Sequence, residues 1–97
     1  MLPFVENLMG LNTMTDQVIA MDMLISAKSG MKMCAVAVTE SATPEVRAAF
    51  QKQLYEAIDT HEKLTDYMMR KGYYHPYNVQ EQIRLDQTNA QTALSLP

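Results

Sequence analysis

The sequence of 97 residues contains no tryptophan, only three glycines and a single cysteine. One thiol cannot close an internal disulfide, so Cys34 is interpreted as a small hydrophobic side chain buried on a helix. The scarcity of glycine and the nine methionines favour long helices over a β-sheet. The sequence therefore predicts an all-α protein, and its length predicts one domain over residues 1–97.

The charge and hydropathy patterns exclude two classes of partner. The net charge is −3, and the eight Lys and Arg residues are scattered rather than gathered into a basic stripe, which argues against nucleic-acid binding. No apolar run approaches the about 20 residues of a membrane-spanning helix. No positive charge precedes Lys28, so the sequence predicts no membrane span and no secretory signal peptide.

The first half of the chain predicts a short apolar segment followed by one long helix. Residues 1–11 form a short apolar segment, with apolar side chains at Leu2, Phe4, Val5, Leu8 and Met9. Gly10 is expected to end a short helix there. Thr13 and Asp16 have the spacing of a capping box. The first long helix is therefore predicted from about residue 13 to residue 40.

The second half predicts a helix of nearly equal length after a tight turn. Thr43 suits an N-cap and Pro44 suits the first helical turn. Gly72 suits the position after a helix C-cap, so the helix is predicted over about 43–71. Two such helices joined by a short turn predict an antiparallel hairpin over 13–71.

Beyond the hairpin, residues 72–97 are interpreted as an aromatic cap and a polar tail. The tail is rich in Gln and Asn, and a sparse apolar stripe predicts a weak C-terminal helix, with Val79, Ile83, Ala90 and Leu94 forming the stripe.

The two long helices differ in how their apolar residues are distributed. The second is amphipathic, whereas the first is apolar almost all round, so a single partner helix cannot cover it. The remaining cover must come from the short segments, from another chain, or from both. We interpret this excess as a four-helix bundle made by two chains, in which Gly30 allows close helix approach.

The position of the turn predicts two polar pairs inside the bundle. With the turn centred near Ala42 and an equal rise along both helices, Lys28 faces Glu56 and Asp22 lies level with His61. A buried imidazole needs a partner, and a carboxylate is a good one. The structural interpretation is therefore that Asp22–His61 is a satisfied pair that fixes the helix register, and that Lys28–Glu56 is a half-buried ion pair at the rim of the bundle.

A weaker interpretation makes Asp22 and His61 metal ligands. Carboxylate-bridged dimetal bundles need a Glu-x-x-His motif, and the residue three before His61 is Ile58. The sequence offers no evident catalytic constellation and no cofactor motif. No catalytic or cofactor-binding residue is therefore predicted.

Three tyrosines follow the second long helix at Tyr73, Tyr74 and Tyr77. We interpret them as an aromatic cap on the bundle end, with rings inward and hydroxyl groups in water. The alternative is that exposed tyrosines stack on partner proteins or are cross-linked by oxidation.

Several short segments, taken in order and spacing, resemble the spore coat protein F family of spore-forming bacteria. The segments are Asp22–Lys28, Thr43–Arg47, Gln53–Leu54, Ala57–Ile58, His61–Glu62, Tyr67–Met68, Lys71–Tyr74 and Pro76–Tyr77. The resemblance extends from about residue 16 to residue 83. It implies a ferritin-like bundle, and some family members carry this domain twice. With room for one copy, this chain is expected to form a homodimer.

The resemblance also implies a role. It is that of a structural protein made in the mother-cell cytoplasm and then placed in the spore coat, with coat proteins as partners and without enzymatic activity. Two alternatives stay open. One is a ferritin-like metal or redox protein in oxidative-stress handling, which metal analysis would distinguish. The other is an adaptor whose Met-rich surface holds a partner helix.

Overall fold

The computed structural model describes residues 11–96, and all the regular structure among them is helical. Helix α1 spans Leu11–Glu40, α2 spans Pro44–Arg70 and α3 spans Val79–Leu94. The prediction of an all-α protein is confirmed for these residues. The short helix predicted before Gly10 lies outside the described residues.

Helix α1 begins earlier than its capping-box motif predicts. The backbone is already helical at Leu11, so Thr13 lies within the helix and is not its N-cap. A capping motif is a local preference of about 1 kcal/mol, and it does not prevent a helix from continuing through it. The C-terminal end at Glu40 agrees with the prediction.

The connection between α1 and α2 is short and closed by an arginine side chain. Thr43 is the N-cap residue in an extended conformation, and Pro44 occupies the first turn, as predicted. Arg47 donates two hydrogen bonds to the carbonyl oxygen of the buried Ser41, from Nη2 at 2.8 Å and from Nε at 3.2 Å. The guanidinium group therefore satisfies a carbonyl that follows the C-terminal end of α1.

Helix α2 ends in a Schellman motif. Gly72 has φ of +73°, and its N–H donates to the carbonyl oxygen of Met69 at 3.1 Å. The N–H of Tyr73 donates to the carbonyl oxygen of Met68 at 2.8 Å. The predicted role of Gly72 is confirmed, since a residue with a Cβ rarely adopts this backbone conformation.

Replacing Gly72 with Ala should lower the free energy of unfolding by about 1–2 kcal/mol. A Cβ at this position would meet no atom within 4 Å, so the loss reflects backbone conformation alone. Urea denaturation would measure it, with Gly72→Asn as the matched variant, because Asn tolerates the left-handed region better. Equal stability of the Ala variant and the wild type would contradict this account.

Helices α1 and α2 pack extensively against each other as an antiparallel hairpin. The buried hydrophobic core of the described residues consists of Ala20, Leu24 and Met68. Along α1, the sheltered positions recur every three or four residues toward α2, at Ala20, Leu24, Ala27, Met31, Cys34 and Val38. This is the spacing of a coiled-coil seam. Cys34 lies in this seam and is half-buried, whereas the sequence predicted a buried side chain.

Helix α3 packs more lightly on the hairpin. Its N-cap Asn78 accepts a hydrogen bond from the Glu81 N–H at 3.1 Å, and Asn89 Nδ2 donates to Gln17 Oε1 at 3.0 Å. The sheltered positions are Gln82, Leu85, Asn89 and Thr92. The predicted helix therefore exists, but its apolar stripe is exposed to solvent, at Val79, Ile83, Ala90 and Leu94.

The folded chain exposes more surface than a compact protein of its size. Its accessible surface is 7234 Å², against about 5,600 Å² for a compact monomer of this mass. Its radius of gyration is 17.7 Å, against about 13 Å for a compact domain of about 100 residues. Met23 and Met33 are among the exposed side chains, so methionine fills the core only in part.

Candidate functional site

The Schellman motif at Gly72 turns two tyrosines back onto the hairpin. Tyr73 and Tyr74 pack against the core. The Tyr73 ring lies edge-to-face against Tyr67, with centroids 6.4 Å apart and planes at 70°. Tyr77, by contrast, is 90% exposed. The described aromatic cap therefore consists of Tyr73 and Tyr74, while Tyr77 is accessible to a partner or reagent.

Electrostatics around this cap favour a neutral hydroxyl group on Tyr73. Burial raises the pKa of Tyr73, and the negative charges of Asp16 and ionised Tyr67 act in the same direction. The ammonium group of Lys71 lies 5.9 Å from the Tyr67 ring centroid, within cation–π distance. The cap is thus an apolar closure of the hairpin end, with one cation on its rim.

Asp22 and His61 form no ion pair within residues 11–96. Asp22 lines a cavity of about 400 Å³ between α1 and α3. His61 lines a different cavity, of about 370 Å³, together with Lys28. The predicted register assumed that the connection is symmetric, whereas core packing sets Met68 beside Ala20 and Leu24. A symmetric connection would set Met68 opposite residue 16, which lies about one helical turn before Ala20.

Lys28 and Glu56 are also not paired. Both are exposed, and within residues 11–96 the ion pairs join neighbours on one helix, Lys63 with Asp59 at 2.9 Å and Arg84 with Glu81. The shift in register separates Lys28 from Glu56 in the same way. The hydrogen bond that Lys63 donates to Asp59, together with the negative charge of Asp59, raises the pKa of Lys63, but such exposed pairs stabilise little.

The described residues offer a poor ligand set for a metal ion. Between residues 11 and 96, no three His, Cys, Asp or Glu side chains gather in one place. No carboxylate lines the cavity that holds His61, whereas metal-binding histidines usually have carboxylate neighbours in either coordination sphere. The chemistry of this cavity is therefore that of hydrogen-bond donors beside apolar walls.

Two features of this region could not be read from the sequence pattern. Amide side chains hold α3 in place: Asn89 donates a hydrogen bond to Gln17 of α1, and Gln82 accepts one from the His75 N–H in the preceding turn at 2.7 Å. Hydropathy patterns do not detect such bonds. Thr65 has a hydroxyl oxygen that is shielded from solvent and has no hydrogen-bond partner. The only sequence signal for Thr65 was its position on the sheltered side of α2, four residues after His61.

These observations define a small helical protein with a thin core, an exposed apolar surface and two cavities beside α1. None of the helices within residues 11–96 is both long enough and apolar enough to cross a membrane. The family model of the Coat F domain matches residues 15–78.

A curated relative, the spore coat protein F-like protein YraD of Bacillus subtilis (strain 168), is 53% identical over 95 residues. The match covers 98% of this chain and 96% of that protein. No solved structure matches the chain. The chain belongs to the spore coat protein F family, as the resemblance of its short segments predicted. This membership supports a location in the spore coat.

Proposed function

We propose that this protein is a structural, non-enzymatic component of the bacterial spore coat that assembles through helix–helix interfaces. Family membership supports the coat role. Assembly through helix–helix interfaces is supported by the excess apolar surface of α1. The hairpin buries only three hydrophobic side chains of the described region, so much of this surface stays exposed in the single chain. Such a surface on a small protein is typical of an interaction site.

The apolar surface of α1 contains a second seam. Ile19, Met23, Gly30 and Met33 occupy four of five successive a and d positions of a heptad repeat, with Ser26 at the fifth. We call these four residues the outer α1 face. None of them lines a cavity shared with α2 or α3. The three large side chains are more than half exposed. A helix with one seam toward its hairpin partner and another facing outward has the pattern of a four-helix bundle member.

The occupant that best suits the outer α1 face is the same face of a second copy. Two hairpins meeting there would form a four-helix bundle with ferritin-like architecture, and the uncharged face would be removed from water on both. The face carries no acidic or basic side chain at its four positions, so pairing it with itself brings no like charges together. Coat proteins with a similar apolar seam are further candidate partners.

The coat role can be tested in a sporulating host that carries the gene. A fluorescent fusion should form a shell around the developing spore and stay with purified spores until detergent and reductant extract the coat. The fluorescent protein alone, expressed from the same promoter, is the control. A fusion that remains diffuse in the mother cell after coat formation would overturn the coat role.

A further inference from the structure

The cavity that contains His61 lies between α1, α2 and the turn that follows α2. Its volume of about 370 Å³ falls within the range of about 300–1,000 Å³ typical of small-molecule sites. Four side chains give it apolar walls, and these are Met21, Leu24, Ile25 and Met69. The remaining lining comes from polar or aromatic residues and one proline.

The polar lining of this cavity contains no negatively charged side chain. Lys28 and His61 both line it, and no Asp or Glu does, although the chain contains eleven acidic residues and has a net charge of −3. Lys28 forms no ion pair within residues 11–96. An ammonium group and an imidazole beside apolar walls favour an anionic group carried on an apolar body.

Thr65 supplies a second, independent observation. Its hydroxyl oxygen is buried beside this cavity without a hydrogen-bond partner. Two other threonines in these helices, Thr88 and Thr92, donate to the carbonyl oxygen four residues earlier at 3.0 Å. A buried hydroxyl group that lacks this bond is destabilising unless something else binds it. The oxygen itself is closed to solvent, so a ligand oxygen in the cavity would satisfy it once the Thr65 side chain rotates toward the cavity.

We propose that this cavity binds a small organic acid, with its carboxylate at Lys28, His61 and Thr65. The apolar body of the acid would contact Leu24, Ile25 and neighbouring walls. Tyr74 and Tyr77 line the side toward the turn, where a flat ring could stack against theirs. The site is separate from the outer α1 face, because none of its lining residues belongs to that face.

Calorimetric titration with three probes tests this proposal. Benzoate has both a carboxylate and an apolar ring, benzamide has the ring without the charge, and acetate has the charge without the ring. Benzoate should bind at least tenfold more tightly than either of the others. Affinity for benzoate no greater than for benzamide would overturn the proposal.

Variants locate the binding. Lys28→Met should weaken benzoate binding at least tenfold, and Thr65→Val should weaken it severalfold. Lys32→Met is the matched control, since it removes the same charge one turn further along α1 and outside the cavity lining. An equal loss of affinity in the two lysine variants would show non-specific attraction instead and refute the site.

The carboxylate could also come from a side chain of a second copy. Light scattering in the presence of saturating benzoate distinguishes these sources. An unchanged mass supports a small-molecule site, whereas a mass that falls by half shows that benzoate competes with a protein carboxylate and overturns the proposal. Because the cavity and the outer α1 face share no residue, failure of this test leaves the coat role untouched.

Discussion

Replacing Met68 with Ala should lower the free energy of unfolding by about 3 kcal/mol. Met68 is 0% exposed and is the largest fully buried side chain of the described region. Truncating such a side chain costs the transfer free energy of the removed atoms and leaves a cavity, together about 2–5 kcal/mol. The other buried hydrophobic residues are Ala20 and Leu24, so this core has little else to compensate.

The expected loss is large for this protein. A domain of about 100 residues is stable by about 5–15 kcal/mol, and each 1 kcal/mol shifts its melting temperature by about 4–8 °C. Thermal denaturation followed by circular dichroism would measure the change at one fixed protein concentration, because self-association makes the midpoint concentration-dependent. Met69→Ala is the matched control, since Met69 is only half-buried and should lose less than half as much.

Similar losses in the two methionine variants would contradict the packing described here. They would mean that Met68 is not the main core residue at this end of the hairpin. A loss of stability in the Met68 variant alone would also account for the role of Gly72. The turn at Gly72 brings Tyr73 back to cover the core that contains Met68.

The elements of this fold that the sequence predicted are those governed by local backbone chemistry. Pro44 lacks an N–H and suits a first helical turn, and Gly72 suits positive φ. Both act within a few residues of themselves, so their effects can be read without knowing the tertiary structure. The bounds of α2 and the start of the turn after it followed directly from them.

Register could not be predicted in the same way. The pairing of Asp22 with His61 depended on how far α2 slides along α1, and a slide of one helical turn, about 5.4 Å, is enough to separate the residues. That distance is decided by the fit of Met68 beside Ala20 and Leu24. The fit depends on side-chain shape, which apolar periodicity does not encode.

The orientation of α3 was hidden for a different reason. Its apolar stripe suggested the buried side, but two amide side chains hold α3 in place. Asn89 donates a hydrogen bond to Gln17 of α1, and Gln82 accepts one from the His75 N–H in the turn before α3. Gln82 and Asn89 lie seven residues apart on one side of α3, and amides count as polar in any hydropathy pattern. A hydropathy pattern therefore predicts that the apolar stripe is buried and the amide face is exposed, whereas the structure has them the other way round.

The second large effect is expected on the outer α1 face, where Met33→Glu should convert a dimer into a monomer. Met33 is 71% exposed in the single chain. Burying a Met side chain contributes about 1.5–3 kcal/mol, and a symmetric interface contains the residue twice. The loss of at least about 3 kcal/mol corresponds to a dissociation constant about 100-fold higher or more. Light scattering at micromolar concentration would measure the mass.

Tyr55→Glu is the control for Met33→Glu. Tyr55 is also a large exposed side chain, but it lies on α2, outside the outer α1 face, so its replacement should leave the mass unchanged.

Gly30→Ala tests where the two α1 helices of the dimer cross. Alanine favours an isolated helix by about 1 kcal/mol, and here its Cβ meets no atom within 4 Å in the single chain. A weaker dimer despite this gain would locate the helix crossing at Gly30.

A wild-type protein that is monomeric at micromolar concentration would refute the dimer without deciding the coat role. The fluorescent fusion separates the two, because Met33→Glu should also weaken retention in purified spores if the outer α1 face is the assembly surface. Retention equal to that of the wild type would mean that the coat holds this protein through another surface. The exposed apolar stripe of α3, at Val79, Ile83 and Leu94, is then the next surface to alter.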